Sequence, residues 1–149
     1  MNTLTLSLEN NHPSEEFRFS VRRMVNAGYT ARDQKKVMKH IEELKKEGIP
    51  VPESTPMAFQ VISKLVYLDD EIEGVGEKTS GEAEYVLLCS DREIYVGVGS
   101  DHTDRELESV SILKSKQVCP NVMSRHVWRL RDIRKDWDAL VLKSWVRDG

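Results

Sequence analysis

Two glutamates, Glu82 and Glu84, open a predicted β-strand that spans residues 82–89. Side chains on a strand alternate between its two faces, so both glutamates point to the same face as Val86 and Leu88, which we expect to face the core. Carboxylates on a core-facing row cost free energy unless they are neutralised, and a bound metal cation would neutralise them. The alternative is that the strand begins in solvent and that both acids are hydrated, as charged side chains mostly are.

A third carboxylate, Asp101, follows the next predicted strand, which spans residues 92–99. The two strands form a predicted hairpin, and a two-residue loop at 91–92 would place Asp101 directly opposite Glu82. A three-residue loop would place Ser100 there instead, but in both registers the aspartate arrives at the glutamate end of the first strand. Oxygen ligands alone favour hard cations. The three acids therefore predict a magnesium or manganese site, with calcium as a third candidate.

A predicted helix in the first half of the chain carries a candidate general base. Thr30 and Asp33 have the spacing of an N-terminal cap, and Gly48 ends the apolar stripe of this helix. Residues three apart are neighbours on a helix surface, so Glu43 can accept a hydrogen bond from His40 and orient it for proton transfer. The alternative is that both side chains belong to the solvated face of a lysine-rich helix.

The composition indicates a protein whose acids and bases are interspersed. Its 149 residues carry a formal net charge of −3, without the basic cluster that a nucleic-acid partner would require. The N-terminus alternates polar and apolar residues as a strand does and a signal peptide does not, and no apolar run reaches the length of a membrane span. Cys89 and Cys119 lack the spacing of a metal motif, so we expect reduced thiols and a cytoplasmic protein.

The order of elements predicts an α+β, mostly β fold in a single domain. We expect strands and one main helix in residues 1–50 and a metal-binding β core in residues 51–149. The proline-containing segment 49–56 is expected to be extended, and the pattern of residues 57–68 leaves helix and strand open. Further strands are predicted at 1–8, 17–25 and 139–146, with turns at 26–28 and 147–149.

Residues 99–108 resemble the fumarylacetoacetate hydrolase superfamily motif Asn-Asp-x-Ser-x-Arg-Asp-x-Gln, and they follow a strand with alternate glutamates as in that superfamily. The resemblance extends from about Arg22 onward. It implies a mixed β-roll or sandwich in which Glu82, Glu84 and Asp101 hold a divalent metal. The motif departs from the superfamily pattern at four positions, which implies a different substrate pocket: Ser100, Thr103, Glu106 and Glu108.

The same resemblance implies roles for five further residues. His40 and Glu43 match a His-x-x-Glu pair on the lid helix of the superfamily, where the histidine activates water or moves a proton. Lys116 matches a lysine that acts on the substrate, and Lys114 is the alternative register for it. Arg105 is implied to bind the charged end of the substrate. A structural role for Arg105, holding the acidic loop together through Asp104 or Glu108, is the alternative.

A closer resemblance is to an uncharacterised bacterial family of unknown function within or near this superfamily, carried by residues 96–106 and 115–120. The superfamily resemblance implies a metal-dependent hydrolase or lyase that acts on a small oxo acid or dicarbonyl compound, and a homodimer is one expected assembly. The reaction would be carbon-carbon hydrolysis, decarboxylation or hydration. The turn signal at 147–149 has no return strand behind it, so we expect a chain that is incomplete at its C-terminus. The alternative function is therefore a non-catalytic remnant that binds a metal or ligand.

Overall fold

In a computed structural model, which describes residues 2–9, 14–46, 51–52 and 54–146, the main element is a seven-stranded mixed sheet. The predicted N-terminal strand is confirmed as β1 (Asn2–Leu8), and its antiparallel neighbour is β2 (Glu15–Val21). The alternate leucines of β1 are buried, which explains the pattern in the sequence. The mostly β fold class is therefore confirmed for the described part of the chain.

Five further strands complete the seven-stranded sheet, and two short helices lie in one of its connections. The remaining strands of the sheet are β5 (Val66–Tyr67), β6 (Thr79–Cys89), β7 (Ile94–Asp104), β8 (Asn121–Met123) and β9 (His126–Arg129). Their order is β2-β1-β9-β7-β8-β5, with β6 paired to β7, and the pairs β1–β9 and β5–β8 are parallel. The short helices are α2 (Arg105–Glu108) and α3 (Ile112–Ser115), both between β7 and β8.

The central hairpin of β6 and β7 is longer than the sequence predicted. Strand β6 begins at Thr79, and strand β7 continues to Asp104, so Asp101 lies inside a strand and not beyond its end. The polar residues at this end continue the ladder because β6 pairs with them on one side and β8 pairs with residues 99–101 on the other. Backbone partners outweigh the low strand propensity of these side chains.

One face of the hairpin packs into the hydrophobic core, as predicted. Leu88 is buried in a cluster with residues from five other strands, and Val86 packs against this cluster. Because side chains two apart share a face, Glu84 and Glu82 lie on the same side as this core. The buried members of the cluster are Leu4, Leu6, Val21, Val66, Leu88, Met123 and Val127.

A separate two-stranded sheet stands where the sequence predicted a turn. Strand β3 (Met24–Gly28) pairs antiparallel with β4 (Met57–Val61), so the turn predicted at 26–28 is wrong. The single strand predicted at 17–25 is in fact the end of one strand and the start of another. The partner of β3 lies about thirty residues away in the chain, and a local pattern does not reveal such a partner.

The predicted helix is confirmed as α1 (Gln34–Lys46), but its cap differs from the prediction. The Oδ1 atom of Asp33 accepts hydrogen bonds from the backbone N–H groups of Lys35 at 3.1 Å and Lys36 at 3.3 Å. Asp33 therefore caps the helix itself, and Thr30 lies before it. The predicted stop at Gly48 lies outside the described residues.

The C-terminal part of the chain does not form the predicted strand. After α4 (Leu130–Ile133) and a 3-10 segment (Arg134–Ala139), residues 140–146 have no regular structure and are exposed. A strand requires a neighbour for its backbone hydrogen bonds, and no strand of the described chain pairs with this segment. The predicted turn at 147–149 lies outside the described residues. Among the described helices, none is long and apolar enough to cross a membrane.

Candidate metal centre

The register of the β6–β7 hairpin brings the three predicted acids together. Asp101 lies directly opposite Glu82, and the hairpin closes through a 2.9 Å hydrogen bond from the Ser90 N–H to the Glu93 carbonyl. The loop is therefore the two-residue loop at 91–92. The first of the two predicted registers is confirmed.

The three carboxylates form a compact cluster. Glu82, Glu84 and Asp101 each offer one oxygen atom, and these atoms all lie within 4.8 Å of one another. Asp101 is 4% exposed, Glu84 is half-buried and Glu82 is exposed. Hydration thus accounts for Glu82 but not for Asp101. Burial raises the pKa of Glu84, as do the negative charges of Asp101 and Glu82, while Lys116 opposes the rise.

Lys116 is the lysine that reaches the cluster. Its Nζ atom forms an ion pair with Oδ2 of Asp101, and the whole lysine is only 7% exposed. It follows helix α3, whose N-terminus is capped by the hydroxyl of Ser111. Lys114, the alternative register, is exposed and makes no ion pair with any described residue. The structure thus places Lys116, and not Lys114, beside the acids.

The second oxygen of Asp101 has a different environment. Its Oδ1 atom is buried and has no hydrogen-bond partner within the described ranges. A buried carboxylate oxygen without a partner costs free energy, whereas a cation beside it would satisfy it. This atom distinguishes the cluster from an ordinary group of surface acids.

Arg105 anchors the exposed edge of the cluster. Its Nη2 atom lies 2.9 Å from Oε1 of Glu82, its Nη1 atom lies 3.0 Å from Oε2 of Glu108, and its Nε donates to the Ser80 hydroxyl at 2.6 Å. Asp104, the other predicted partner, instead caps helix α2 through the backbone N–H groups of residues 106 and 107. The contacts match the structural alternative for Arg105 through Glu108. Binding of substrate by Arg105 stays a prediction.

The charged side chains in and around the cluster have a net negative charge that a divalent cation would balance. The three carboxylates of the cluster and that of Glu108 carry four negative charges, and two cationic side chains pair with them. These are Arg105 and Lys116, so the six groups together carry a net charge of −2. The donors nearest to one another are all carboxylate oxygens, which suit magnesium, manganese or calcium better than zinc. The residues present therefore fit a hard divalent cation.

The predicted acid-base pair on helix α1 does not form. His40 is exposed and makes no hydrogen bond to Glu43, or to any other residue that the structure describes. Glu43 lies 3.8 Å from the ammonium of Lys39, one helical turn earlier. A charged lysine four residues away competes successfully for the carboxylate. The predicted contact is wrong in this structure, and a catalytic role for His40 stays a prediction.

Sequence reasoning missed the polar residues behind Asp101. Asn121 is the first residue of β8 and lies directly opposite Asp101, while Thr103 is two residues further along β7. Both are buried, and the Nδ2 of Asn121 and the hydroxyl of Thr103 have no partner in the described chain. The sequence offers one signal, which is a polar residue directly after Cys119 and Pro120. This signal identifies Asn121 as a neighbour of Asp101 only when the β7–β8 register is known.

A shallow cleft lies on the other face of β7 and is separate from the acids. Its volume is about 380 Å³, and Val98, Ser100 and Val122 contribute to its wall. Adjacent residues on a strand point to opposite faces, so Ser100 is directed away from the side that carries Asp101. His102 lies on this far face as well.

Comparison with known proteins gives one match. The family model described as protein of unknown function (DUF2848) matches residues 27–149, which is most of the chain. This confirms the prediction of an uncharacterised family. No curated protein and no solved structure matches the chain.

Proposed function

We propose that this chain, which belongs to the DUF2848 family of proteins of unknown function, is a divalent-metal-dependent enzyme that acts on a small oxo acid or dicarbonyl compound. The observation that carries the proposal is the environment of Asp101. Its buried carboxylate has one oxygen on Lys116 and another without a partner, next to two further carboxylates. Kinship with the fumarylacetoacetate hydrolase superfamily is part of the proposal and rests on the motifs in the sequence.

Glu82, Glu84 and Asp101 would hold the cation, which would be magnesium or manganese, with calcium as the third candidate. The proposal is supported by the net charge of −2 on the six clustered groups and by the carboxylate-only donor set. A bound divalent cation would supply Lewis-acid polarisation of substrate oxygens and stabilise negative charge that develops on them.

The residues around the cluster would divide the remaining tasks. Lys116 has three ammonium donors, one of which is used by Asp101, so the others are available for a carboxylate or oxyanion of the ligand. Arg105 would orient Glu82, because its guanidinium group pairs with both Glu82 and Glu108. His40 is the proposed proton-transfer residue, with Glu43 as its partner in the reacting state. The proposed reaction is carbon-carbon hydrolysis, decarboxylation or hydration.

A non-catalytic metal- or ligand-binding protein is the second candidate, and the position of His40 favours it. This side chain is exposed, and its intended partner Glu43 pairs with Lys39 instead. A protein with an intact cation cluster and no proton-transfer group would bind a ligand without converting it.

The test begins with binding of magnesium, manganese and calcium to the wild type, followed by turnover assays with acylpyruvates and oxaloacetate. Glu84→Gln and Asp101→Asn are expected to weaken cation binding at least tenfold, because each removes one charged ligand. Asp138→Asn is the matched control, since Asp138 is an exposed acid paired with Arg32. Unchanged cation affinity in both cluster variants would refute the metal site. Cation binding without turnover would favour the second candidate.

A further inference from the structure

We infer that Asn121 is an oxygen-binding residue of this site, whose Nδ2 group donates a hydrogen bond to a carboxylate or carbonyl oxygen of the bound ligand. The inference rests on the proposed function. It deepens that function by naming a side chain that would bind one end of the ligand directly, without the cation. Asn121 lies outside the set of acids and bases that the sequence motifs identified.

Its position in the sheet places Asn121 beside the cluster. Strand β8 pairs antiparallel with β7, and Asn121 is directly opposite Asp101. Residues opposed in this way have Cβ atoms about 4.5–5.5 Å apart and share a face of the sheet. Asn121 therefore faces the same side as the carboxylate cluster, and it is only 5% exposed.

A neighbouring side chain fixes which way the amide of Asn121 points. Its Oδ1 atom accepts a hydrogen bond of 3.1 Å from Nδ2 of Asn26, which lies on strand β3 of the two-stranded sheet. The Nδ2 group of Asn121 is thereby directed away from Asn26. It is buried and without an acceptor in the described part of the chain. A preset donor in a water-poor place is the arrangement that recognises developing or fixed negative charge.

The groups around this donor select the class of ligand. The buried ammonium of Lys116 is bound to the same Asp101 that Asn121 opposes, so both donor side chains are immediate neighbours of Asp101. The hydroxyl of Thr103, on the same face two residues beyond Asp101, is also buried and unpartnered within the described ranges. Two donors and a hydroxyl match a planar carboxylate. The end of the ligand at Asn121 and Lys116 is thus assigned as a carboxylate, and the adjacent oxo group of a 2-oxo carboxylate follows from the proposed function.

The experiment uses oxalate as the probe, because it carries two adjacent planar carboxyl groups. Its binding to the magnesium-saturated protein is measured by calorimetry for the wild type, Asn121→Ala and Asn121→Asp. We expect both variants to bind oxalate at least 10-fold more weakly, the loss typical of a hydrogen bond to a charged group. Asn121→Asp keeps the oxygen that accepts from Asn26, so it tests the inference even when the alanine variant fails to fold.

The controls separate this inference from the proposed function. Asn26→Ala keeps the donor but releases its orientation, so its oxalate affinity is expected to fall less than that of Asn121→Ala. Magnesium affinity is expected to stay within about threefold of wild type in Asn121→Ala, since no metal ligand is removed. A wild type that binds no magnesium would refute the proposed function and this inference with it. Normal magnesium binding with equal oxalate affinity in wild type and both Asn121 variants would refute the inference alone.

Discussion

Replacement of Lys116 by methionine is the sharpest test of the cluster as the structure describes it. The side chains of Lys116 and Asp101 are 9% and 3% exposed, so the substitution leaves a buried carboxylate without its cationic partner. Breaking a buried ion pair in this way costs about 3–5 kcal/mol. A domain of this size has about 5–15 kcal/mol of stability in total, and its Tm falls by about 2–4 °C per kcal/mol. We therefore expect Lys116→Met to lower Tm by about 6–20 °C in the absence of divalent cations.

The assay is thermal and urea unfolding, with and without magnesium. Removal of the lysine changes the net charge of the six clustered groups from −2 to −3, so magnesium is expected to restore a larger share of stability to Lys116→Met than to wild type. Adding Asp101→Asn to this variant removes the unpaired charge and is expected to recover most of the loss.

The control for this prediction is the exposed ion pair of Arg32 and Asp138. Its atoms are 2.8 Å apart, but the side chains are 75% and 77% exposed, and such pairs contribute about 0–1 kcal/mol. Arg32→Met is therefore expected to change Tm by only a few degrees. If Lys116→Met were no less stable than Arg32→Met, the reasoning from burial would be refuted.

Two further predictions concern the same hairpin. The raised pKa of Glu84 means that the folded protein holds this proton more tightly than the unfolded chain, so metal-free stability is expected to fall as pH rises from the ordinary glutamate value through the raised pKa. Tm measured from pH 4 to 8 should show this fall in wild type and a smaller one in Glu84→Gln; equal slopes would contradict it. Gly99→Ala is expected to cost about 1–3 kcal/mol in urea unfolding, because its Cβ would meet the Val122 carbonyl and the Val86 side chain at 2.7 Å each. Gly97→Ala, whose nearest contacts would be 3.2 Å or more, should cost less, and an equal loss would count against the packing argument.

The acid cluster could be predicted from the sequence because it depends on local rules. Strand alternation placed Glu82 and Glu84 on the core-facing side, and the hairpin loop length set the register that brings Asp101 to them. Both rules act within the twenty residues from Glu82 to Asp101. Equally local patterns predicted the core position of Leu88 and the presence of helix α1.

Features that depend on distant partners, or on a competition between two local partners, could not be predicted. Strand β3 exists because β4 pairs with it. Residues 140–146 lack strand structure because no described strand pairs with them. His40 and Glu43 have suitable spacing for a contact, but spacing does not decide between two partners, and Lys39 is the one that Glu43 meets. A pattern in the sequence identifies the side chains that can interact, whereas the fold determines which interactions form.

The site therefore has two parts. One part depends on contacts between neighbouring segments of the chain, and the other depends on contacts between distant segments. The carboxylates of Glu82 and Asp101 come from one hairpin, so their spacing is set by a contact that forms between neighbouring segments. The donors of Lys116 and Asn121 arrive through α3 and β8, and Asn121 is held by Asn26 from a different sheet. Loosening the two-stranded sheet should therefore weaken recognition of the ligand before it weakens binding of the cation. Asn26→Ala separates the two, since it alters the orientation of a donor while every carboxylate of the cluster stays in place.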